Sequence, residues 1–106
     1  MSKIKVHSLK SPKTGRPVAN QFEIYESTKK MISYTFQSYD TIIAKCIFKN
    51  DKHIVILDND ALYYSRTTSK YLYKFLDSRS HLNFGMRKKE ILKAIKEGEI
   101  LTKNLN

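Results

Sequence analysis

The sequence predicts an α+β domain in which an antiparallel sheet of four to five strands, over residues 3–57, is followed by two helices over 66–77 and 86–97. The apolar residues recur with a period of two up to about Leu57 and with helical spacing after Asp58-Asn59-Asp60. The composition completes the case: 106 residues, 41% hydrophobic and 28% charged, with three Gly and two Pro, suit a single domain over 1–106 with a packed core.

The elements follow in order. Ile4, Val6 and Ser8 alternate with Lys3, Lys5 and His7, as a half-buried strand over 3–9 does. Residues 11–17, dense in Ser, Pro, Thr and Gly, form a loop. Phe22 and Ile24, set between Gln21, Glu23 and Tyr25, give a strand over 20–26, and Ile32, Tyr34 and Phe36 share one face of a strand over 31–37. Thr41 to Lys49 is rich in β-branched and aromatic residues, the pattern of a central strand with Ile42, Ala44, Cys46 and Phe48 on one face. Asn50-Asp51-Lys52 turns the chain into His53 to Leu57, apolar on both faces and so expected to be covered on both sides or to lie at the sheet centre. Ser65 caps a helix whose stripe is Thr68, Tyr71, Leu72, Phe75 and Leu76. The second helix points Ile91, Leu92 and Ile95 inward and stops at Gly98.

Charge is the feature that bears on function. Twenty Lys and Arg against ten Asp and Glu give +10. Residues 1–20 contribute +5, residues 21–60 contribute −1 and residues 61–106 contribute +6, so the excess lies at both ends of the chain. Such a bias favours polyanionic partners, although lysine-rich composition also arises from AT-rich coding.

Three clusters carry the excess. Lys10 and Lys13 precede Gly15-Arg16-Pro17, whose Arg16 makes a partial match to an arginine hook for the minor groove, although Gly and Pro between two strands need no cause beyond an ordinary hairpin loop. Arg66, Lys70, Tyr73 and Lys74 share the outer face of the first helix, whose start is rich in hydroxyls that suit either a phosphate or simple capping. Arg87 and Lys88, with the outer stripe Lys89, Lys93 and Lys96 on the second helix, suit either a phosphate backbone or a solvated face. Tyr73, between Lys70 and Lys74, is the candidate for stacking on a base.

Other chemistries find little support. Cys46 is the one cysteine, which excludes an internal disulfide, and it reads as a small buried hydrophobe. His7, His53 and His81 lack metal-ligand spacing, and Asp58-Asn59-Asp60 lacks the later Gly and Glu of a calcium loop. No phosphate-cradling glycine loop or nucleophile elbow occurs, so neither an enzyme nor a cofactor is expected. No apolar run is long enough to span a bilayer, and the N-terminus lacks a secretory signal, so no membrane partner and a soluble intracellular protein are expected.

Ala19-Asn20-Gln21-Phe22, Phe36 to Ala44, and Tyr64 to Tyr71 with Phe75-Leu76 resemble a pattern in small uncharacterised proteins of bacteriophages and gut-bacterial mobile elements. The resembling part covers about residues 3–80, and the basic second helix looks particular to this chain. The resemblance implies an origin, and with it the cytoplasm of a bacterial host, but no catalytic residues. The expectation is a non-enzymatic protein that binds DNA or RNA through non-specific phosphate contacts. The alternative is an accessory protein that binds a host or phage protein or a nucleoprotein complex, as an anti-defence inhibitor or assembly component. Self-association is left open.

Overall fold

The computed structural model describes residues 3–11, 13–82, 85 and 87–106. Five strands, β1 (Lys3–Lys10), β2 (Pro17–Ser27), β3 (Met31–Ser38), β4 (Thr41–Lys49) and β5 (Lys52–Asp58), each pair antiparallel with the next. Turn chemistry sets these hairpins. Asn50 and Asp51, at φ 53° and 60°, supply the two left-handed residues that a tight β4–β5 hairpin requires. At the β2–β3 turn, the Thr28 hydroxyl accepts from the backbone N–H groups of Lys30 and Met31. Pro17 opens β2, where a missing ladder donor is tolerated, so the strand begins three residues earlier than the sequence predicts. Pro12, in the predicted 11–17 loop, lies outside the described residues.

Two helices follow, α1 (Arg66–Arg79) and α2 (Lys88–Lys96), and then a sixth strand, β6 (Leu101–Lys103), which pairs parallel with β5. The strand order β1-β2-β3-β4-β5-β6 places β3 and β4 at the centre. The sequence reading missed β6, and with it the one parallel pair in the described sheet. No helix among the described residues is long and apolar enough to cross a membrane.

Both helices bury their apolar stripes in one core. Ser65 caps α1, its hydroxyl accepting from the Thr68 N–H at 3.2 Å, and Tyr71, Leu72, Phe75 and Leu76 pack onto Phe36, Ala44, Val55 and Leu57. In α2 the buried residues are Ile91 and Ala94, while Leu92, expected to point inward, is 45% exposed. The Met86 start predicted for this helix lies outside the described residues. Gly98, at φ 78°, ends α2: its N–H donates to the Ile95 carbonyl and the Glu99 N–H to that of Ala94, the paired closure of a Schellman motif.

The sheet has one covered face and one open face, and the chain assigns residues to them differently from the sequence reading. In β1, Ile4 and Val6 are each 61% exposed and Leu9 is the buried residue. In β2 the apolar Phe22 and Ile24 are only half-buried, while the polar Gln21 and Glu23 are almost completely buried. Register follows the second face from edge to edge: Val6 pairs with Ile24, Ile24 with Thr35, Thr35 with Lys45, Lys45 with Ile56, and Ile56 with Leu101, directly paired residues sharing a face that is exposed at Val6 and Leu101 but buried at Thr35 in its centre. In β4 a bulge opposite Phe36/Gln37 moves Ile42 to the face of Gln37 and buries Ile43 with Ala44, which overturns the expected grouping of Ile42 with Ala44, Cys46 and Phe48. β5 is the neighbour of an edge strand, not the sheet centre; Val55 and Leu57 are buried, whereas Ile54 and Ile56 are half-buried.

Candidate functional site

The helices and their connection bring cations together along one groove. α1 places Arg66, Lys70 and Lys74 at intervals of four residues, so they rise along one side of the helix. Beyond α1 the chain turns back, held by Asp77: its carboxylate accepts from the Gly85 N–H at 3.0 Å and pairs with the Arg87 guanidinium at 3.7 Å. Gly85 makes that reversal with φ 81°, a conformation that costs glycine little. The start of α2 is thereby set against the outer side of α1, with the Arg87 guanidinium 5.5 Å from the Tyr73 ring centroid.

The result is an open groove of about 850 Å³ lined by Arg66, Lys70, Lys74, Arg87 and Lys88, with Asp77 the one carboxylate of the lining. Tyr73, Tyr64 and Leu62 supply its apolar surface. Outside the lining, Tyr63 is 74% exposed, and the ammonium of the lining residue Lys88 lies 5.5 Å from its ring centroid. Burial, then the carboxylates of Asp58 and Asp60, and finally a hydrogen bond to Asp58 push the Tyr64 hydroxyl above its ordinary pKa, so it stays neutral near pH 7.

Five of the predicted residues, Arg66, Lys70, Tyr73, Lys74 and Arg87, therefore line one groove. The β1–β2 hairpin adjoins it, because the Lys74 ammonium donates to the Lys10 carbonyl. Lys13 and Arg16 are exposed in the hairpin loop, which is closed by the Gly15 N–H donating to the Ser11 carbonyl and the Ser11 N–H to that of Arg16. Lys89, Lys93 and Lys96 are exposed along α2 beyond the lining of the groove. The sequence reading included Tyr64 in the hydroxyl-rich start of the first helix but missed Tyr63 as a neighbour of this surface. The tandem of tyrosines just before a helix cap was the available signal, but the turn that brings Lys88 to Tyr63 was not legible.

Elsewhere, the fold places the rings of His53 and His81 in a stack at 5.0 Å, although the sequence separates them widely. Among the described residues, no group of three or more His, Cys, Asp or Glu is placed to hold a metal ion. Asp58 accepts from the backbone of Asp60 and Leu105 and from the Asn106 amide, and its segment forms a turn through Ala61 N–H to the Asp58 carbonyl. Cys46 is buried, and burial first, with the Glu23 carboxylate second, pushes its thiol up to about 12 against the opposing pull of Arg79.

The chain belongs to a family of unknown function, DUF8033, whose model matches residues 9–93. The match runs to Lys93, six residues into α2. No curated protein and no solved structure matches the chain.

Proposed function

We propose that the protein is a non-enzymatic nucleic-acid-binding domain that grips the phosphates of DNA or RNA without reading base sequence. The observation that supports this is the groove between α1 and the start of α2, where five cations face one carboxylate. Counterion release from the phosphates drives such binding, and each neutralised phosphate steepens its dependence on salt. Origin in a bacteriophage or mobile element, and action in the bacterial cytoplasm, belong to the same proposal and rest on the sequence resemblance.

Fluorescence anisotropy of random-sequence duplex and single-stranded probes, titrated between about 50 and 200 mM salt, tests the reading. For duplex, removing two phosphate contacts with Lys70→Gln and Lys74→Gln should reduce the slope of log affinity against log salt by about 1.8. Negligible affinity at low salt removes the proposal.

A second reading is favoured by a different observation. Edge strand β1 carries Ile4 and Val6, each 61% exposed, as expected of a sheet edge that meets a host or phage protein. Recovery of one defined protein on the chain after nuclease treatment of a host lysate would favour that reading, and loss of all bound material would disfavour it.

A further inference from the structure

We propose that the groove takes single-stranded nucleic acid in preference to duplex, with bases stacked on tyrosine rings while the phosphates follow the cations; this rests on the nucleic-acid reading above. Cations alone do not distinguish the two forms, because both carry phosphates. The aromatic rings do. In a duplex the base faces are covered by their neighbours, so an exposed tyrosine beside the backbone gains little, whereas each base of a single strand offers a π-face.

The placement of the tyrosines separates those committed to the core and sheet from those that present a ring surface at the groove; Tyr73, half-buried against the core, does both. Tyr71 is buried in the core, and Tyr25 and Tyr34 contact each other across β2 and β3 at 5.3 Å. Tyr63, by contrast, is 74% exposed, and its ring meets the Lys88 ammonium; a cation at one face of so exposed a ring leaves the other face to a base. Tyr73 lines the groove itself beside Arg87, and Tyr64, 38% exposed, is part of the same lining. Two neighbouring cations, Arg87 and Lys88, thus each meet a tyrosine ring at or beside the groove.

Spacing supports the same occupant. Arg66, Lys70 and Lys74 are each four residues apart on α1, which separates successive side chains by about 6 Å along the helix axis. That interval approximates the spacing of phosphates in an extended strand. A cleft of about 850 Å³ admits a short length of strand with its bases turned inward, whereas the wider duplex would rest across its rim.

The test compares a homopolymeric single strand of about a dozen nucleotides, within the usual site sizes, with a hairpin duplex of equal phosphate number at one salt concentration. The expected result is at least tenfold tighter binding of the single strand. Tyr63→Leu and Tyr73→Leu should each weaken single-strand binding about tenfold while leaving duplex affinity and the salt slope unchanged, and Tyr73→Phe, which keeps the ring, should retain it. Thermal melting by circular dichroism checks that the variants fold; Tyr63→Leu changes an exposed side chain and keeps the test valid if Tyr73→Leu does not fold. Equal binding of both forms, unaffected by loss of the rings but weakened by Lys70→Gln with Lys74→Gln, overturns the single-strand preference and leaves the phosphate grip standing. Failure of both probes to bind at low salt overturns both.

Discussion

Glu23 and Arg79 form a partly buried, forked ion pair between β2 and the last residue of α1: the Arg79 Nε donates to both carboxylate oxygens at 3.1 Å and Nη2 to one of them at 2.7 Å. Glu23 is 2% exposed, and the guanidinium also lies 4.2 Å from the Tyr34 ring centroid. Hydrogen bonding to Glu23 is the first cause that holds the Arg79 pKa above its ordinary value. A carboxylate this deeply buried persists because the fork satisfies it.

Arg79→Ala should therefore destabilise the fold by about 3 kcal/mol, because it leaves the buried carboxylate with only the His7 ring, 3.5 Å away, as an ion-pair partner among the described residues, with some relief from the partial exposure of the arginine side chain. Glu23→Gln added to Arg79→Ala should recover part of the loss, since the neutral amide costs less to bury. Urea unfolding of the two single variants and the double variant measures the coupling. Additive losses would show that the two side chains contribute independently, contrary to the geometry.

Cys46 provides a probe of the same core. Its thiol is buried between β3 and β5 in the sheet, and with its pKa pushed up to about 12 it holds a very small fraction of the reactive thiolate at neutral pH. Alkylation by iodoacetamide at about pH 8 should thus be at least 100-fold slower in the native protein than in urea, at a rate set by opening of the core. Reaction at the rate of a free thiol in the native protein would contradict the burial.

What the sequence made legible, and what it did not, divides along the range of the interactions involved. The strands and helices that rest on local periodicity and turn chemistry were readable, as were the Ser65 cap and the Gly98 stop. The inversion in β2 was not, because Gln21 and Glu23 look like solvent-facing positions until Arg79, 56 residues away, comes to pair with the carboxylate. β6 escaped notice because Leu101-Thr102-Lys103 is too short to display a period and is exposed throughout. The cations of the candidate site were identified by type, but their convergence depends on Asp77 meeting Gly85 and Arg87, eight and ten residues on, a closure that no spacing rule encodes.

The C-terminal segment offers a pH-dependent prediction. The Asn106 side chain imitates a strand at the β4 bulge: its carbonyl accepts from the Ile42 N–H at 2.8 Å and its amide donates to the Ile42 carbonyl at 3.0 Å. Asp58 anchors the same segment by accepting from the Leu105 N–H and the Asn106 amide. Burial pushes the Asp58 carboxyl up, but hydrogen bonds from Leu105, Asp60, Asn106 and Tyr64 outweigh it and hold the pKa below its ordinary 3.8. A carboxyl depressed in the native state contributes its full stabilisation above the ordinary value and loses it as pH falls through the native one. The loss is therefore confined to acid below about pH 4, and stability near neutrality should not respond to this group. Asp58→Asn, which replaces one acceptor oxygen by a donor facing other donors, should cost about 1–3 kcal/mol at pH 7. Urea unfolding from about pH 2 to 7 should show the difference between wild type and Asp58→Asn shrinking on the acid side, as the wild-type carboxyl also becomes protonated. A difference that stays constant across that range would show that the stabilisation does not depend on the ionised carboxylate.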